Sequence, residues 1–93
     1  MRDHMFDDAL SQVQIAGMLP GGSYHKEGGK IIRELLKNGS ISNNDYLKLV
    51  DFEIGEKFLE SNVFARHVQS RQITFQSTLM MRFCEKESVG WDA

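Results

Sequence analysis

Cysteine, proline and tryptophan each occur once in this 93-residue chain. The single thiol, Cys84, closes no intramolecular disulfide, so packing has to hold the fold. With Met80, Met81 and Phe83 beside it, Cys84 reads as a buried thiol in an intracellular protein. No apolar run approaches the length needed to span a bilayer. The opening residues MRDHMFDD are polar and acidic rather than signal-like, which leads us to expect a cytoplasmic domain, membrane-associated only through a partner or lipid headgroups. Asn38-Gly39-Ser40 has the form of a glycosylation acceptor but reads here as a turn. An excess of cations is missing too. Eleven Lys and Arg against thirteen Asp and Glu give a net charge of −2, which excludes the broad positive field behind most non-specific nucleic-acid affinity. Enzyme signatures are likewise absent.

What is present is the composition of one ordinary globular domain, 41% hydrophobic and 26% charged. A chain of this length buries about 60–65% of its unfolded surface, enough for one modest core. The ends, residues 1–5 and 86–93, are expected to be loose, with Trp91 docking back on the body.

The stretch ISNNDYLKLVDFEIGEKFLESNVF, residues 41–64, has the widest apolar face. Tyr46, Leu47, Leu49, Val50, Ile54, Phe58 and Leu59 recur at helical spacing. Ser42 followed by Asp45 has the form of a capping box. One continuous helix is the expectation, with Gly55 a close-packing point inside it. The alternative is a break into two shorter helices. Upstream, Phe6, Leu10, Val13, Ile15, Ala16 and Leu19 predict a short helix with Asp7 and Asp8 in its first turn, ended by Pro20. Ile31, Ile32, Leu35 and Leu36 predict another over 30–37, closed by Asn38-Gly39.

The glycine-rich segment GGSYHKEGGK, residues 21–30, is not a phosphate loop. Gly29-Lys30 is followed by Ile31 where a Walker motif needs Ser or Thr, and no buried strand precedes it. It reads as a flexible connection. After Ser61-Asn62 the period changes to that of two short strands around a polar turn. Leu79, Met81 and Phe83 alternate and predict a further strand over 79–84. Helix, helix, long helix and hairpin make an α+β fold of winged-helix type, a three-helix core with a C-terminal hairpin or small sheet.

Three segments carry a family resemblance. The run IRELLKNG at 32–39, the run FEIGEKFLESNVF at 52–64 and MRF at 81–83 together resemble the DEP domain, a winged-helix module of signalling proteins, over residues 28–84. That resemblance implies a non-catalytic adaptor that brings its host protein to membranes or receptors, and it implies no cofactor.

His4, His25 and His67 with Cys84 match no metal-ligand spacing. Ser23, His25 and Glu27 are sequence neighbours rather than a framed catalytic set. The one cationic cluster, Lys57, Arg66, His67 and Arg71 around the hairpin, is the candidate binding site, reading otherwise as a solvated wing. Asp45, Asp51, Glu53, Glu56 and Glu60 along the 41–64 stretch oppose a recognition-helix role on DNA. The expected partner is a protein, then an anionic membrane surface. Nucleic acid gripped by the hairpin, or packing within a larger complex, are the alternatives, and no small-molecule substrate is expected.

Overall fold

The computed structural model describes residues 6–90. In chain order the elements are α1 (Asp7–Ile15), α2 (His25–Asn38), β1 (Ile41–Ser42), α3 (Asn43–Leu49), α4 (Phe52–Glu60), β2 (Phe64–His67), β3 (Gln72–Phe75) and α5 (Thr78–Glu87). A 3-10 turn, Ser88–Gly90, follows. The fold is α+β, a helical core with a small three-stranded antiparallel sheet ordered β1-β3-β2. Helix, short strand, two helices at a sharp turn, then a hairpin is a winged-helix-like arrangement, with α1 and α5 packed on its back.

The helices form where the apolar spacing demands them, with four corrections. The 41–64 stretch is broken, as the alternative had it. Val50 and Asp51 are both extended, with ψ near 154° and 153°, and they separate α3 from α4. The break lies upstream of Gly55. It turns the chain so that the Tyr46 hydroxyl donates 2.7 Å to the carbonyl of Gly55.

The second correction concerns residues 79–84, which are helical and not a strand. Met80, Phe83 and Cys84 are the buried positions, one helical stripe, and Ser77 caps the helix by accepting from the Met80 amide at 3.1 Å. Residues 86 and 87, the start of the end expected to be loose, complete the last turn of α5. Thirdly, α2 starts at His25, absorbing six of the ten residues of the segment read as a loop. Gly28 sits there because a Cβ at that position would fall 2.5 Å from Met18 Cγ. The expectations for residues 1–5 and Trp91 lie outside the described residues.

Two expected helix boundaries are where the sequence put them. Ser42 Oγ accepts from the Asp45 amide at 3.1 Å and starts α3. Gly39, with φ 83°, ends α2. The fourth correction concerns α1, which ends at Ile15 rather than running on to Pro20, and its inner face carries Ala9 and Val13 while Leu10 and Ile15, expected on it, are exposed.

The core joins these layers through aromatic rings. Phe64 on β2 meets Tyr46 of α3 at 6.3 Å, Phe58 of α4 at 5.9 Å and Phe75 of β3 at 5.9 Å. The first two are edge-to-face, worth about 0.5–1.5 kcal/mol each beyond area burial. One residue therefore ties the hairpin to the α3–α4 pair and fixes where the wing stands.

Candidate functional site: the wing and its cations

Strand alternation decides where the cations of the wing go. In β2, Phe64 and Arg66 share the face that carries Ile73 and Phe75 of β3, while Ala65 and His67 share the other with Thr74. Arg66 and His67 therefore point to opposite sides of the sheet. The Nε2 of His67 lies 2.9 Å from Thr74 Oγ1. Arg66 faces α4 and α3. It forms an ion pair with Glu56 at 3.2 Å, and its Nε donates 3.1 Å to Asn43 Oδ1. Each member of the pair is 31% exposed.

Arg71 occupies the end of the wing turn. Its amide donates 2.8 Å to the carbonyl of His67, closing a loop over residues 68–71. Its carbonyl accepts from the Asn43 amide at 2.9 Å, continuing the β1–β3 pairing (Ile41 with Ile73, Ser42 with Gln72) by one residue. The wing tip is thereby stapled to the start of α3. Arg71 has φ 56°, in the left-handed region.

Lys57 stands apart. It is exposed on α4 one position beyond Glu56, about 100° further round a helix of 3.6 residues per turn. The four predicted cations are thus not one cluster. Arg66 and Arg71 share a groove, His67 is on the far face of the sheet, and Lys57 is on the outer face of α4. Sequence reasoning missed the other members of that groove, which has a volume of about 450 Å³. Ser42, Asn43, Asn44, Val68, Ser70 and Gln72 complete its lining, and no acid is among them. The hairpin register brings residues 42–44 beside residues 70–72, and no local pattern announces it.

The outer face of α4 is acidic. Glu53, Lys57 and Glu60 are exposed, Asp51 precedes them, and Glu56 is half-buried. Phe52 at its start is 61% exposed. Elsewhere, burial pushes the Cys84 thiol up to about 12 and moves the Tyr46 phenol well above its ordinary value, so neither is a nucleophile at neutral pH. No group of three metal-ligating side chains occurs among the described residues. No helix there is long and apolar enough to cross a membrane.

These features define the class as a winged-helix-like α+β domain with an acidic third core helix and a split wing. Comparison of the chain with protein-family models, with curated proteins and with solved structures finds no match.

Proposed function

We propose that this domain is a non-catalytic interaction module of a cytoplasmic signalling or scaffolding protein, recruiting a protein partner or docking close to an anionic membrane surface. The resemblance to the DEP domain suggests that role. The observation that carries it is the pairing of Arg66 with Glu56 beneath an acidic α4. In a winged-helix DNA reader this helix enters the major groove while the wing grips phosphate. Here the helix carries Glu53, Glu56 and Glu60 against one Lys57, and it neutralises a wing arginine. Bringing that face to a duplex sets carboxylates against phosphates, whereas a protein partner with a basic, apolar segment meets Glu53, Glu60 and the exposed Phe52 favourably.

A salt titration tests this reading, following binding of a random duplex by the wild type and by Glu53→Lys/Glu60→Lys. The wild type is expected to bind the duplex at most weakly, with moderate salt abolishing that binding, and the double variant to gain affinity. Tight duplex binding by the wild type, abolished by Arg71→Glu, would refute the adaptor role in favour of a nucleic-acid binder. Unchanged duplex binding in the double variant would remove α4 from the argument.

A further inference from the structure

We propose that the groove between the start of α3 and the wing turn binds a phosphate-bearing anion, held by Arg71 together with Asn43, Asn44 and Ser70. The inference deepens the adaptor reading, on which it rests, by naming a ligand chemistry for one face of the module.

The backbone of Arg71 is the first observation. The last residue of a short hairpin loop in the left-handed region is a position where Gly or Asn costs least, because a Cβ crowds the neighbouring carbonyl. The chain places an arginine there, φ 56°, at a site that both closes the turn and receives the Asn43 amide. Among the described residues no acid pairs with its guanidinium, unlike Arg66.

The lining is the second observation. In a chain of net charge −2, the groove contains two arginines and no carboxylate. Its other polar groups are hydroxyls and amides. Asn43 accepts from Arg66 through Oδ1, which leaves its NH2 as the group available to donate. Arg66 directs Nε to Asn43 and its terminal nitrogens to Glu56, so it acts mainly to orient Asn43 and supplies little free charge. A concave surface of about 450 Å³ rich in N–H and O–H donors, with one uncompensated guanidinium at its rim, suits a phosphate ester better than a cation or an apolar ligand. The phosphate belongs to a lipid headgroup or to a small free phosphate, and the recognition chemistry is the same for both.

The test uses the whole chain and two probes. The first is inorganic pyrophosphate, followed by the amide resonances of Asn44, Ser70 and Arg71. The second is phosphatidylcholine vesicles with and without phosphatidylinositol bisphosphate, followed by co-sedimentation. Perturbation of those amides by pyrophosphate assigns a free phosphate. Sedimentation only with the phosphoinositide assigns a headgroup. Arg71→Gly suits the turn, so it is expected to melt no lower than the wild type while losing affinity by about tenfold or more, the scale of a lost charge-assisted hydrogen bond. Arg71→Lys keeps the charge without the fork and is expected to fall between the two. Silence of the wild type toward both probes overturns the site, as does full affinity in Arg71→Gly. A lower melting temperature in Arg71→Gly overturns the backbone argument. Neither failure touches the adaptor reading, which a protein partner on α4 still satisfies. A random duplex bound more tightly than either probe, and released in Arg71→Gly, overturns the assignment and the adaptor reading together.

Discussion

Replacing Gly55 by alanine sets two effects of opposite sign against each other in the middle of α4. Alanine favours the helix by about 1 kcal/mol over glycine through backbone entropy. Against that, its Cβ would sit 2.8 Å from Tyr46 Cε2 and 3.3 Å from Val50 Cγ2. The ring has little freedom to retreat. Tyr46 is fully buried, its hydroxyl is bonded to the carbonyl of the same Gly55 at 2.7 Å, and its ring packs edge-to-face with Phe64. Overpacking of this kind costs about 1–3 kcal/mol. A net loss of about 1–2 kcal/mol is expected, and for a domain of this size each kcal/mol lowers Tm by roughly 4–8 °C. Gly55→Leu should lose more. Thermal unfolding by circular dichroism reads the effect, and a double-mutant cycle with Tyr46→Ala isolates its cause. In that background the obstructing ring is gone, so Gly55→Ala should become stabilising. Were Gly55→Ala to raise the wild-type Tm by the full helix-propensity gain, the close approach of α3 and α4 at this point would be wrong.

Three further outcomes are expected. Phe58→Ala removes a fully buried ring that touches both Tyr24 and Phe64, and should cost about 3–5 kcal/mol in denaturant unfolding. Leu59→Ala, half-buried next to it, should cost clearly less, and the reverse order would misplace the inner face of α4. Ser77→Ala deletes the cap of α5 and should cost about 1 kcal/mol, whereas a strand at 79–84 would leave stability unchanged. Stability should also fall on the alkaline side. Burial pushes Cys84 from 9.0 to about 12 and raises Tyr46 above 10.0. Well below pH 9 neither group ionises in either state and their contribution is whole. Above it the unfolded chain releases protons that the folded one retains, so stability drops as pH rises toward 12. Cys84→Ala should flatten that decline near its start, and a decline identical to wild type would show Cys84 to be solvated.

The helical segments are legible because burial in a helix repeats within one turn. Ile31, Ile32 and Leu35 on α2 and the Ser42–Asp45 cap of α3 are contained in the order of residues alone. The hairpin is legible for the same reason, through its period of two. Gly55 announces a close approach, since a glycine inside an apolar helical pattern needs some such reason, although the sequence does not say to which neighbour. The 79–84 segment misleads because in LMMRFC every position but Arg82 is apolar. Both periods fit such a run, and only the packing of Met80, Phe83 and Cys84 against the body selects the helix.

Tertiary structure alone decided the remainder. The break at Val50-Asp51 exists because Tyr46 has to fold back onto Gly55, a contact between two helices that no spacing within either one encodes. The two-residue strand β1 is too short to have a period, and it exists only because β3 offers an edge beside it. The cations followed the same rule. Lys57, Arg66, His67 and Arg71 form one group when counted along the chain. The pleat of β2 sends Arg66 and His67 to opposite faces, the turn of α4 carries Lys57 away, and Glu56 claims Arg66. Sequence determines which residues are charged and which segments are helical, since both are local properties. Which charges share a groove depends on register and crossing between elements, and those are settled only when the core closes around Phe64.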